Sequence, residues 1–208
     1  MRWVWFSAVA VLGTALDLFT KWIMFSRLKM GEPHELIPGI LYLELSLNEG
    51  AAFGLFPGQI AFFIIVSAIA ISAMIYFVAT AEPDARLLPL TLGLLLAGVC
   101  GNLYDRVADG KVRDFILVRC DHEPVHGWLM TVFGKSQWPN FNVADTCICV
   151  GAALIVIIFW RDERREKREK AAAEAAEKAK ADPAPPPAPA AGEGAAVGGE
   201  ATASPGGA

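Results

Sequence analysis

Two aspartates, Asp114 and Asp145, have the residue type and surroundings that suit acid–base chemistry. Asp114 lies in GKVRDF and Asp145 in FNVAD, and neither has a cation placed to pair with it. Arg113 is adjacent to Asp114, but on a strand neighbouring side chains point to opposite faces. Two carboxyl groups a few ångströms apart share one proton, because both cannot ionise together. The ionised member then activates a water molecule, and the protonated member polarises a carbonyl group.

A second pattern indicates different chemistry. Residues 122–126, HEPVH, match H-E-x-x-H, in which one helix presents two histidines to zinc beside a glutamate base. Here Pro124 follows the glutamate and Gly127 follows the second histidine, so at best one short helical turn forms. His34 is the remaining histidine that would complete the set of ligands. The zinc alternative uses His122, Glu123 and His126.

Four apolar segments must position these residues. The chain has 208 residues, of which 54% are hydrophobic, above the usual ~45–50%. A helix needs about 17–25 apolar residues to cross the ~30 Å hydrocarbon layer, and lipid requires the backbone to satisfy its own hydrogen bonds. The sequence therefore predicts a bundle of four transmembrane helices. They cover residues 3–25, 60–80, 87–103 and 143–160.

An even number of spans places both termini on one side of the membrane. The longer segments, about 26–59 and 104–142, lie on the other side. The side of the termini carries ten lysines and arginines against seven, so the positive-inside rule favours it as cytoplasmic. Residues 41–48, LYLELSLN, alternate strictly between apolar and polar, and 112–119 are rich in β-branched and aromatic residues. Both predict strands of a small sheet outside the bundle.

The C-terminal residues differ from the rest of the chain. Residues 161–181 mix both charges with good helix formers, and Glu163–Lys167 and Glu166–Lys170 have the favourable i,i+4 spacing. We expect a charged cytoplasmic helix here. Residues 182–208 contain mainly proline, alanine and glycine, which leaves little to bury, so we expect this tail to be disordered.

Polar side chains interrupt the spans at one common depth. An ionisable group at the bilayer centre costs ~2.5–3.5 kcal/mol, so its presence indicates function. Because successive spans reverse direction, all these groups fall beneath the surface that carries the long segments. They are Asp17, Lys21, Asn102, Asp105, Arg106, Asn142 and Asp145.

Asp17 and Lys21 are four residues apart, so they are expected to neutralise each other. A non-enzymatic alternative follows from this cluster: the chain is a small transporter or scaffold whose polar side chains only lock the helices together. The aspartate pair without matched cations distinguishes the enzyme from this alternative.

Five motifs occur in order on the four spans: DLFTK (17–21), NEGAAFG (48–54), GNLYDR (101–106), GKVRDF (110–115) and FNVAD (141–145). This ordered set resembles lipoprotein signal peptidase, the signal peptidase II family of aspartyl peptidases. The resemblance covers roughly residues 8–160.

The resemblance implies an endopeptidase of the bacterial inner membrane that is inhibited by globomycin and uses neither metal nor cofactor. It implies cleavage of a prolipoprotein just before the cysteine that carries diacylglycerol. The sheet would be a periplasmic β-cradle, with the active site near the periplasmic face and both termini cytoplasmic. Membrane lipids are the other expected partners. We expect a monomer with no nucleic-acid partner.

By motif, the resemblance makes Asp114 and Asp145 the catalytic pair. Asp105 is expected to steady Arg106. The stretch from Phe115 to Asn142, which contains HEPVH, is longer than in the family pattern. The residues expected to bind substrate or support the pair are Asn48, Gly54, Asn102, Arg106 and Asn142. Those expected to give structural support are Asp17, Lys21 and Asp105.

Overall fold

The computed structural model describes residues 1–50, 58–119, 125–134 and 136–181. These residues divide into a unit Met1–Asp162 and a second unit that begins at Glu163. The elements in chain order are α1 Arg2–Arg27, β1 His34–Ile37, β2 Leu41–Asn48, α2 Ile60–Thr80, α3 Leu87–Asp109, β3 Val112–Val118, α4 Val125–Phe133 and α5 Val143–Ala181.

The four predicted spans are confirmed. Within the described ranges, α1, α2, α3 and α5 are the helices long and apolar enough to cross a membrane. Helix α2 has the predicted bounds, whereas α3 continues beyond residue 103 to Asp109 and so includes the whole GNLYDR motif. Many large apolar side chains on these helices are exposed, among them Val11, Ile69 and Val156. Such a surface suits a lipid environment.

Small residues allow the spans to approach closely. A Cβ atom on Gly93 of α3 would lie 2.6 Å from the carbonyl oxygen of Phe6 on α1. A Cβ atom on Gly98 would overlap the carbonyl oxygen of Ala144 and lie 2.6 Å from Cγ1 of Ile148, both on α5. Close backbone approach at small residues is the usual way that membrane helices associate. Helix α3 is therefore packed tightly between α1 and α5.

The predicted small sheet is present, with three antiparallel strands in the order β1-β2-β3 among the described residues. Strand β2 has the predicted bounds, and β3 ends one residue before the predicted limit. Burial along β2 does not follow the alternation of its sequence, because its register against β3 shifts between Leu43 and Ser46. Leu45 is accordingly 6% exposed and Leu47 45% exposed. Strand β1 and helix α4 were not predicted.

The second unit is described from Glu163 to residue 181, all within α5. The predicted Glu163–Lys167 and Glu166–Lys170 ion pairs are present, each with an N–O distance of 2.6 Å. All four side chains are exposed, and exposed pairs of this kind add little stability. The predicted disordered tail, residues 182–208, lies outside the described residues.

We predict that Gly98→Leu destabilises the protein, because the new side chain meets α5 backbone. Overpacking of this kind typically costs about 1–3 kcal/mol. Ala152→Leu on α5 is the matched control, since that position is exposed and a leucine there faces open surface. Thermal unfolding in detergent checks the prediction: Gly98→Leu should lower Tm while Ala152→Leu leaves it unchanged. Equal Tm values for the two variants would contradict the close α3–α5 contact.

Candidate active site

Strand β3 carries the first of the two aspartates. Val112 and Asp114 lie on the same face of this strand, and both are buried, with Asp114 only 2% exposed. In the antiparallel register Ser46 of β2 lies opposite Asp114, so Asn48 is its diagonal neighbour on the same face. The Nδ2 of Asn48 donates to Oδ2 of Asp114 at 3.2 Å. The pairing of β2 with β3 thus brings together two motifs that lie 66 residues apart.

The other edge of β3 delivers the second aspartate. Phe141 exchanges backbone hydrogen bonds with Ile116 at 2.8 and 3.0 Å, and the N–H of Trp138 donates to the carbonyl of Val118 at 2.8 Å. The chain that follows the long loop therefore runs antiparallel to β3 and enters α5 beside Asp114. Asp145 lies in the first turn of that helix.

The start of α5 is a reciprocal cap. Asn142 Oδ1 accepts from the backbone N–H of Asp145 at 2.9 Å, and Asp145 Oδ2 accepts from the backbone N–H of Asn142 at 3.1 Å. This is a capping box with asparagine and aspartate in the two positions. The carboxylate of Asp145 therefore has a fixed orientation before any substrate arrives.

The amide groups of three asparagines surround the two carboxylates. Asn142 Nδ2 donates to Asp114 Oδ1 at 2.7 Å, and Asn102 Nδ2 donates to Asp145 Oδ1 at 2.8 Å. With the contacts of Asn48 and the α5 cap, each carboxylate accepts two N–H groups. Because Asn142 contacts both aspartates, the carboxylates share one neighbour and lie in one site.

A buried ion cluster lies beneath this site. Lys21 is 0% exposed, and its Nζ lies 2.8 Å from Asp17 Oδ2 and 3.0 Å from Asp105 Oδ2. It also donates to Asn102 Oδ1 at 3.0 Å. Asp17 Oδ1 in turn accepts from the backbone N–H of Ala144 at 2.8 Å. The predicted pairing of Asp17 with Lys21 is present, and the cluster joins α1, α3 and α5.

The expectation that Asp105 steadies Arg106 stays a prediction. The direct ion pairs of Asp105 are with other cations. Its carboxylate pairs with Lys21 and with Arg113, whose Nη2 lies 2.6 Å from Asp105 Oδ1. Arg113 points away from Asp114, as its place on the strand requires, and there it meets the end of α3. Arg106 instead donates to the carbonyl of Gly50 at 3.0 Å and lies 4.7 Å from the ring centroid of Phe63. Asp105 thus links Lys21 to Arg113 on β3, and Arg106 binds the backbone directly after β2.

Burial changes the acidity of Asp114. Desolvation of its carboxyl group, and after it the negative charge of Asp145, raise the pKa of Asp114 to about 7. The amide donors of Asn48 and Asn142 act in the opposite direction but do not outweigh burial. A carboxyl group with this pKa is protonated in a large fraction of molecules at neutral pH, which suits a pair that shares one proton.

Some predicted site residues fall outside the described part of the chain. These are Gly54 and, from the zinc alternative, His122 and Glu123. His126 is described and lies in the first turn of α4, which begins at Val125, directly after Pro124. The described residues contain no group of three or more histidine, cysteine, aspartate or glutamate side chains arranged to hold a metal ion.

The sequence did not indicate the structural roles of Arg113, Gly101 and Phe141. Arg113 pairs with Asp105, and a Cβ atom on Gly101 would overlap the carboxylate of Asp17. Phe141 pairs with β3 through its backbone. GNLYDR and GKVRDF lie on either side of a short turn, which was a usable signal for the Asp105–Arg113 pair.

Similarity to solved structures shows the general class to which this protein belongs. Two solved structures of bacterial membrane enzymes share the architecture. One matches with a TM-score of 0.65 at 31% identity and covers 75% of this chain and 87% of its own. The other has a TM-score of 0.62 at 33% identity and covers 74% and 92%. This chain is therefore a multi-span membrane protein with the fold of bacterial membrane enzymes.

The particular family follows from sequence. The family model for signal peptidase (SPase) II matches residues 9–161. Lipoprotein signal peptidases of Symbiobacterium thermophilum and Shouchella clausii are 35% identical over 157 residues and 36% identical over 160 residues. Each alignment covers 76% of this chain and 95% of the relative. The chain belongs to the signal peptidase II family and is a bacterial membrane peptidase.

We predict that Asp105→Asn is strongly destabilising. The change removes one partner of a buried ion cluster and leaves Lys21 and Arg113 undercompensated, which typically costs ~3–5 kcal/mol. Glu163→Gln makes the same chemical change in an exposed pair and serves as the control. Thermal unfolding in detergent should show a large fall in Tm for Asp105→Asn and no measurable change for Glu163→Gln. A small effect at Asp105 would contradict the ion cluster.

Proposed function

We propose that this chain is an intramembrane aspartyl endopeptidase that removes the signal peptide from diacylglyceryl-modified prolipoproteins. The bond cut is the one just before the lipidated cysteine. One observation carries the catalytic part of the proposal: Asp114 and Asp145 both hydrogen-bond Asn142, so two carboxyl groups from distant segments meet in one site. The name shared by the relatives, lipoprotein signal peptidase, supports the choice of substrate.

The reaction needs one proton on the pair. Ionised Asp145 takes a proton from a water molecule as the water oxygen bonds to the scissile carbonyl carbon. Protonated Asp114 gives its proton to the carbonyl oxygen, which forms a neutral tetrahedral diol. The diol then returns a hydroxyl proton to Asp114 as the C–N bond breaks, and Asp145 gives its proton to the leaving nitrogen. The pair finishes with one proton and is ready for another substrate.

The position of the site fits a lipid-anchored substrate. Asp145 lies in the first turn of a membrane-spanning helix, and Asp114 lies on the adjoining sheet. A peptide bond next to a lipid-modified residue reaches this depth while the acyl chains remain in the bilayer. In the proposed orientation both termini are cytoplasmic and the sheet is periplasmic, in agreement with the excess of positive charge near the termini.

We predict that Asp114→Asn and Asp145→Asn each abolish cleavage, because an amide can neither take the water proton nor share one with its neighbour. Removal of either member of a catalytic unit typically lowers the rate by at least about 10⁴-fold. Asp109→Asn is the matched control, since Asp109 is exposed at the end of α3. The measurement is release of the signal peptide from a purified diacylglyceryl prolipoprotein, with globomycin as an inhibitor arm.

A chelator arm separates this proposal from the zinc alternative. The aspartyl mechanism predicts full activity in excess chelator and full activity of His126→Ala. Normal turnover by a folded Asp114→Asn or Asp145→Asn variant would overturn the proposal. Loss of activity in chelator with recovery on added zinc would favour the histidines.

We predict a basic limb in the pH profile with a midpoint near pH 7. Asp114 must be protonated, and its pKa is about 7, so kcat/KM should fall about tenfold per pH unit above that value. Circular dichroism across the same pH range separates this effect from unfolding. A profile that stays flat to pH 9 would show that Asp114 does not supply the essential proton.

A further inference from the structure

The ammonium group of Lys21 determines the orientation of a neighbouring amide. A lysine ammonium donates hydrogen bonds and accepts none. The atom of Asn102 that faces Lys21 at 3.0 Å must therefore be its oxygen. That oxygen also accepts from Asn142 Nδ2 at 3.1 Å. With the oxygen held by two donors, the Nδ2 of Asn102 is directed at Asp145 Oδ1, 2.8 Å away.

The reversed amide would be unfavourable at both ends. Rotation of the Asn102 side-chain amide by half a turn would place its NH₂ group against the Lys21 ammonium and its oxygen against the Asp145 carboxylate. Both contacts would be repulsive in a site where Lys21 is fully buried. Buried groups left without partners cost more than the gain from a single hydrogen bond. Lys21 therefore acts on Asp145 indirectly, by orienting the N–H of Asn102 toward the Asp145 carboxylate.

The two aspartates consequently have different surroundings. Asp145 accepts the N–H aligned by Lys21 and a backbone N–H at the start of α5, where the helix dipole favours an anion. Asp114 lies on a strand and, within the described part of the chain, accepts from the side-chain amides of Asn48 and Asn142. The environment of Asp145 therefore stabilises a negative charge better than that of Asp114 does.

We propose that Lys21 is a positioning residue that, through Asn102, holds Asp145 as the ionised base and leaves the shared proton on Asp114. The inference rests on the proposed function. The sequence predicted only structural support for Lys21, and the proposal adds a role in the reaction.

The test compares two variants that differ only at Lys21. Lys21→Met alone would leave Asp17 without its cation, so Asp17→Asn is placed in both variants. The single variant keeps the ammonium against Asn102 and Asp105. The double variant, Asp17→Asn with Lys21→Met, removes it and still leaves Asp105 paired with Arg113. Both are assayed for prolipoprotein cleavage across pH, with Tm measured alongside.

Asp17→Asn is the reference for the double variant, whatever its own activity relative to wild type. The double variant should lose at least about tenfold in kcat at unchanged KM, the loss expected when one charge-assisted hydrogen bond is removed. The acid limb of its kcat/KM profile should move to higher pH, because the base becomes harder to ionise. A purely structural Lys21 would lower Tm and the amount of active protein without moving that limb.

Infrared spectroscopy supplies a measurement that does not need the lysine variant to fold. The carbonyl band of a protonated carboxyl group in the resting enzyme should disappear in Asp114→Asn. Its loss in Asp145→Asn alone would overturn the proposal, as would equal kcat and equal pH profiles for the single and double variants. Failure of the proposed function is a separate result, because it would appear as activity in Asp114→Asn.

Discussion

A buried lysine is the constraint on which the rest of the site depends. Lys21 has no exposure, so its charge is tolerable only beside Asp17 and Asp105, which fixes the approach of α1 to α3. Asp17 also binds the backbone of Ala144, and the absence of a side chain at Gly101 leaves room for its carboxylate. A membrane bundle has little hydrophobic force between its helices, so such polar contacts set how the helices meet. The hydrogen-bond network around Asp114 and Asp145 takes its geometry from that arrangement.

Much of the architecture could be predicted from the sequence, because a membrane restricts which structures can span it. Hydrocarbon demands helices of a set length, so four apolar segments defined four spans. Alternating spans then placed every polar motif at one level, and the structure joins Asp17, Asn102 and Asn142 in one connected network. Strand β2 was predictable from its period of two, although the shift in register after Leu43 was not.

Two kinds of feature could not be predicted. One is the partner of a residue that has several polar neighbours, and the other is a short segment or helix end with a weak pattern. Asp105 had Arg106 next to it in sequence, yet its carboxylate pairs with Arg113, because the turn after α3 folds β3 back on the helix end. The cap formed by Asn142 and Asp145 depends on where α5 begins, which a sequence specifies only to within a residue or two. Helix α4 is nine residues long, too short for its pattern to stand out.

The hydrogen bonds between Ile116 and Phe141 have a consequence for how this family diversifies. They join the two ends of the loop that connects β3 to α5. Asp114 and Asp145 lie just outside those two ends. Lengthening a closed loop adds only a slowly growing entropic cost, about 0.6 kcal/mol per doubling. The loop can therefore change in length at little cost in stability, and an epitope or a reporter inserted there should leave the hydrogen bonds of Asp114 and Asp145 in place.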